Sequence, residues 1–376
     1  MDITVIILVV IVTALAFDFT NGFHDTANAV ATSIATGALK PRTAVLIAGV
    51  LNLVGAFLSV QVAKTISSGL VDDTKITPTV IFAGLVGAIV WNLLTWLVGL
   101  PSSSSHALIG GLIGATWVAA GADAVKFAGL VGKVLLPAVL APVVAGGIAL
   151  IATRLAYRIT ARGAQGTVSK GFKLGQIVSG SMVALAHGTN DGQKTMGIIT
   201  LTLITAGALP ADAGPPFWVI LSSGLAIALG TYAGGWRIIQ TLGMRVCAIE
   251  APQGFAAGIS NATVILTSSH LGFPLSTTQV ATGSIFGAGA ARGAASVHWG
   301  IGGKVAFAWL LTLPAAAAFG GVAAWVADTG PVGTIIVAVV LVALAGGIYA
   351  VSRRRPVTAD NVNDVPAPSQ PVDLAA

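Results

Sequence analysis

Two aspartates, Asp25 and Asp191, stand in polar, glycine-containing stretches that interrupt long apolar runs: Asp18 to Asn28, and His187 to Thr195. A carboxylate at membrane depth costs at least about 2.5–3.5 kcal/mol, so two of them call for a shared reason. The stretches are related. Gly22-Phe23-His24-Asp25-Thr26-Ala27-Asn28 aligns without a gap to Gly188-Thr189-Asn190-Asp191-Gly192-Gln193-Lys194, at an offset of 166 residues. Such interruptions read as unwound helix, exposing backbone groups and helix ends to a buried ligand. Asp25, Asp191, Asn190 and His24 are candidate ligands of a coupling cation. Asn28 and Lys194, which occupy matching positions, are candidate substrate contacts.

Hydroxyl side chains form the second doubled feature. Pro101-Ser102-Ser103-Ser104-Ser105-His106 aligns with Pro274-Leu275-Ser276-Thr277-Thr278-Gln279 at an offset of 173, which also places Gly110 on Gly283 and Gly114 on Gly287. Proline followed by hydroxyls is good N-terminal helix chemistry, so helix capping alone would explain one such cluster. Two N-termini aimed at one place supply free N–H groups, positive dipole ends and hydroxyl donors, which suits a small tetrahedral oxyanion. The candidate substrate ligands here are Ser103, Ser104 and Ser105 with Ser276, Thr277 and Thr278. Carboxylates repel an oxyanion, and the conflict is resolved if cations held by Asp25 and Asp191 lie between them. A proton, a sodium ion or a divalent metal would meet that need, with no resident cofactor or fixed metal site. His24 and His106 titrate near neutrality and could carry protons; His187 is a weaker candidate.

The elements that position these residues follow from composition. Of 376 residues, 55% are hydrophobic and only 9% charged, against about 25% charged in soluble domains. Mean hydropathy is +0.90. The expected fold is an all-α polytopic membrane protein. The net charge of +6 sits in loops between apolar runs, as the positive-inside bias requires, which argues against a nucleic-acid groove. The one cysteine, Cys247, excludes an intramolecular disulfide. No cleavable signal peptide is expected from the first apolar run.

The repeats divide the chain into a first half at 1–153, a basic cytoplasmic linker at 154–173, a second half at 174–325, an extra transmembrane helix at 326–352, and a disordered cytoplasmic tail at 353–376. Basic residues place the N-terminus outside and the C-terminus in the cytoplasm, with Lys64, Lys75 and Lys126 as exceptions. Each half then makes an odd number of crossings. The two halves are therefore expected to be inverted-topology repeats, with broken helices and re-entrant hairpins tipped by 101–105 and 274–278. Two full crossings per hairpin would leave this parity unchanged.

The motifs resemble the duplicated signature of the inorganic phosphate transporter (PiT) family, over about residues 1–350. The resemblance implies a plasma-membrane symporter of phosphate with protons or sodium, with Asp25 and Asp191 as essential aspartates and the hairpin hydroxyls as phosphate ligands. The Asp191-Gly192-Gln193-Lys194 form is similar to the bacterial low-affinity branch, which implies proton coupling and carriage of metal–phosphate complexes. His24 replaces an asparagine common in the family's first motif. A sulfate or other oxyanion permease of the same fold is the alternative, and a passive anion channel a weaker one. No nucleophile–base pair marks an enzyme. Phosphate and lipid are the expected partners, nucleic acid is not, and homodimerisation stays open.

Overall fold

A computed structural model describes residues 2–364, and its regular elements are helical. The first half comprises α1 (Ile3–Asp25), α2 (Ala27–Ala35), α3 (Pro41–Gly55), α4 (Gln61–Gly69), α5 (Pro78–Leu97), α6 (Ser104–Ala120), α7 (Phe127–Leu130) and α8 (Leu136–Thr160). The second comprises α9 (Gln165–Thr205), α10 (Phe217–Ala233), α11 (Trp236–Gln240), α12 (Ala251–His270), α13 (Thr277–Ala290) and α14 (Trp299–Ala327), followed by α15 (Pro331–Ser352). Prolines in the first turns of α3, α5, α12 and α15 start those helices without wasting an N–H donor.

The polarity of the molecule is that of a protein built for lipid. Leu310, Val342 and Trp325 are 78%, 71% and 70% exposed, while Asp18, Asn92, Ser103, Asp191 and Lys194 are wholly buried. Five helices are long and apolar enough to cross a membrane: Ile3–Ala35, Pro78–Leu97, Phe127–Thr160, Trp299–Ala327 and Pro331–Ser352. Phe217–Ala233 and Trp236–Arg245, bent by 59°, can make a sixth. The chain is a multi-pass membrane protein.

The order of elements repeats, and the halves pack crosswise. Hairpin α5–α6 lays α6 against α14 of the second half, and hairpin α12–α13 lays α13 against α8 of the first. Likewise α1 packs on α10 and α9 on α3. The matching glycines explain how the hairpins fit. A Cβ on Gly114 would lie 2.0 Å from the Ala317 carbonyl, and one on Gly287 would lie 2.0 Å from that of Gly146. Backbones in lipid can approach this closely only where the side chain is missing. Even the isolated bridges pair up, Val71 with Val125 and Cys247 with Val297.

Three expectations are corrected. The polar stretches are not unwound: α9 runs unbroken through His187–Thr195, and the stretch from Asp18 to Asn28 breaks only at Thr26, between α1 and α2. Lys194 lies three residues and His187 four residues from Asp191, so on a helix all three share a face and their side chains meet without opening the backbone. The basic linker at 154–173 is also largely helical, since α8 continues to Thr160 and α9 starts at Gln165. Its charges mark where the apolar run ends, and the helices extend past that point. Finally, the tail expected to be disordered is packed as far as Asp364. Arg237 donates to the carbonyls of Ser352 and Arg355, Arg42 pairs with Asp360 at 3.2 Å, and Val362 is buried. The remainder of that tail, 365–376, lies outside the described residues.

Candidate functional site

The hairpin tips and the two aspartate motifs converge in the interior. The tip hydroxyls take three distinct roles, each occurring once per half. The first is capping. Ser103 accepts from the backbone N–H of His106 at 3.1 Å, and Ser276 accepts from that of Gln279 at 3.2 Å. The second is a bond to the aspartate of the same half: Ser104 donates to Asp25, and Thr277 donates to Asp191 at 2.8 Å. The third crosses between halves. Thr278 donates to Asp25 at 3.1 Å, and Ser105 accepts from Lys194, which itself donates to Asp191.

Asn28 and Lys194 mirror each other as well. Asn28 Nδ2 donates to Thr277 at 3.3 Å and Thr278 at 3.1 Å, while Lys194 Nζ donates to Ser105 and to the Leu275 carbonyl at 2.9 Å. Each reaches from its own motif to the hairpin of the other half. His24 and Asn190 share a different task, which is to hold their own hairpins. His24 Nε2 lies 3.2 Å from Thr95 Oγ1 and 3.3 Å from Ser102 Oγ, and Asn190 donates to Ser269 at 2.9 Å and to the Phe273 carbonyl at 3.3 Å. His24 additionally places Nδ1 2.6 Å from Asp25. Asn190 Oδ1 and Asn28 Oδ1 are buried and unbonded. Sequence expectations thus come together at one locus for all twelve residues, with Ser103, Ser276 and Asn190 serving it through position.

His187, a weaker candidate in the sequence, and residues that sequence reasoning left aside complete the locus. His187 Nε2 approaches Asp191 Oδ2 to 2.9 Å outside hydrogen-bond geometry, and its Nδ1 lies 3.1 Å from Asn52 Oδ1. Thr95 and Ser269 serve the two hairpins alike but differ by one residue in register, since the offset of 173 puts Ser268 at the place of Thr95, so the pairing was hidden among many hydroxyls. Asn52, a lone amide in an apolar helix, was visible.

Asp25, His187 and Asp191 each offer a ligand atom within 4.8 Å of the others. At that spacing two bare carboxylates repel by about 3 kcal/mol at an effective dielectric constant of ~20. Lys194 compensates one of them. With neutral histidines the locus keeps one net negative charge, so an oxyanion could enter only with added cations. Carboxylate and amide oxygens with an imidazole are groups able to hold a cation, and the N-termini of α6 and α13 with Ser104, Ser105, Thr277 and Thr278 are groups able to hold an anion.

A family model described as "Phosphate transporter family" matches residues 21–320. The chain belongs to this family. It is accordingly a transporter and not an enzyme. A protein of Mycobacterium bovis named a probable low-affinity inorganic phosphate transporter is 54% identical over 363 residues, covering 95% of this chain and 87% of that one. A Bacillus subtilis protein of the same name is 42% identical over 326 residues, covering 86% and 98%. Among solved structures, a sodium-dependent phosphate transporter superposes with a TM-score of 0.79 at 26% identity, covering 86% of this chain and 99% of that one.

Proposed function

We propose that this protein imports inorganic phosphate by symport with cations, through alternating access around the doubled motif locus. The observation that carries the reading is the mirrored bonding of Ser104 to Asp25 and Thr277 to Asp191, with Thr278 and Lys194 crossing between halves. Phosphate would take over hydroxyl donors now spent on the carboxylates, and the cations would take over the carboxylates. Substrate and coupling ion then bind together, because each removes the other's electrostatic cost. Protons and sodium both suit this chemistry. A divalent metal entering with phosphate as a neutral complex also fits the pair of carboxylates.

The crosswise packing supports two inverted repeats, whose relative rocking would expose the locus alternately to each side. The hairpins read as re-entrant, because α6 and α13 have 17 and 14 residues, about 26 and 21 Å, short of a hydrocarbon core of about 30 Å. The basic ends of α8 and α15 support a cytoplasmic C-terminus and an N-terminus on the outside.

Uptake of labelled phosphate into proteoliposomes, under separately imposed proton and sodium gradients, tests the proposal. Saturable uptake driven by at least one gradient is expected, with arsenate competing better than sulfate. Uptake indifferent to both gradients would remove the symport reading, and preferential competition by sulfate would reassign the substrate.

A further inference from the structure

Asp18 lies on α1 two turns before Asp25, outside the doubled locus. It is wholly buried, and neither of its oxygens makes a hydrogen bond. The same condition recurs in its surroundings: both polar atoms of Asn21 and of Asn92, and the hydroxyl of Thr195, are buried and unbonded. Each of these four residues is at most 1% exposed.

Helix packing brings the four together. α1 and α5 run side by side in the same direction: Ile6 and Val80, near their starts, line one cleft, while Phe23 and Trp96, near their ends, are in aromatic contact. Across that contact His24 meets Thr95, and one turn earlier on each helix stand Asn21 and Asn92. α9 packs on both helices. Its Thr195, like Asn21, faces the Asp18 carboxyl outside hydrogen-bond geometry, and the charges that act on that carboxyl are those of Asp191 and Lys194.

The cluster is not doubled across the repeat. The offset that maps Asp25 onto Asp191 puts Ala184 at the place of Asp18, and Ala29 at the place of Thr195. It is therefore an addition to the symmetric locus. A buried carboxylate without a hydrogen-bond partner is costly, and a positive charge bound directly to it removes that cost. Two oxygens from Asp18 and one each from Asn21, Asn92 and Thr195 are hard donors, suited to sodium or to a proton carried on the carboxylate.

We propose that Asp18, Asn21, Asn92 and Thr195 form a second cation site, which carries one monovalent coupling ion per transport cycle. The site rests on the symport reading above. It sits on α1 and α9, the helices that bear Asp25 and Asp191, about 10 Å along α1 from the phosphate locus.

The test uses the full-length protein in liposomes with the membrane potential clamped at zero and a tenfold inward gradient of sodium or, in a second arm, of protons. Each coupled cation adds about a factor of ten to the phosphate accumulation ratio under such a gradient, because each contributes the free energy of one tenfold concentration step. Asp18→Asn is expected to keep phosphate self-exchange and to lose about tenfold in plateau accumulation, in the arm whose ion the site holds. Thr195→Val, which removes one oxygen and keeps the carboxylate, should raise the half-saturating concentration of that ion severalfold. An unchanged plateau for Asp18→Asn in both arms would overturn the site, as would loss of self-exchange in a folded protein. If Asp18→Asn does not fold, unchanged cation dependence in Thr195→Val overturns it equally. Wild-type protein that accumulates phosphate in neither arm would instead refute symport, and this site with it.

Discussion

Lys194 and Asp191 stand one turn apart on α9, hydrogen-bonded to each other and both wholly buried. The pair sets the halves of the locus apart, since the first half has Asn28 at the position of Lys194. The two carboxylates are thus made unequal: Asp191 has a resident cation, and Asp25 has His24 and hydroxyl donors.

Breaking that pair from one side should be worse than removing it whole. Lys194→Met leaves an uncompensated buried carboxylate, for which losses of about 3–5 kcal/mol are typical. The double variant Lys194→Met with Asp191→Asn should recover much of the thermal stability in detergent while remaining inactive. Equal stabilities of the single and double variants would show that Asp191 is not charged in the resting protein.

Asp25→Asn and Asp191→Asn should each abolish gradient-driven phosphate uptake per folded protein, Asp191→Asn with the added stability loss of leaving Lys194 buried and unpaired. Both replacements keep the size of the side chain and remove only the charge that would hold a cation. Normal uptake by either variant would separate that aspartate from coupling.

The tip hydroxyls should sort by role. Ser104→Ala and Thr277→Ala each remove a donor to a carboxylate, and are expected to raise the half-saturating phosphate concentration on the order of tenfold. Ser103→Ala and Ser276→Ala remove helix caps, and should cost about 1 kcal/mol of stability with a smaller effect on affinity. Concentration–uptake curves and thermal unfolding of the four proteins together check this division.

Crosswise packing predicts unequal tolerance among glycines. Gly287→Ala drives a Cβ into the Gly146 carbonyl and should destabilise by about 1–3 kcal/mol, as overpacking does. Gly147→Ala, on α8 with nothing within 4 Å of its Cβ, should be neutral or slightly stabilising. Thermal melting in detergent reads the contrast directly.

The sequence by itself determined the membrane class, the doubling of the chain and the identity of the two aspartates, because a charge in an apolar run and a motif repeated in order are visible without coordinates. It also marked every hydroxyl of the tips, but it could not divide them. Ser103, Ser104 and Ser105 are alike in type, and only the rotation of α6 against α1 and α9 decides which one caps, which meets Asp25 and which meets Lys194. The polar stretch around Asp191 reads as unwound in the sequence because glycine and polar residues weaken a helix locally. Partners on the same face kept it helical. Asp18 shows the same limit from the other side: its charge is plain in the sequence, but its lack of a partner depends on where α5 and α9 happen to lie. Local pattern reports which groups need satisfaction, and long-range packing between the halves decides which groups receive it.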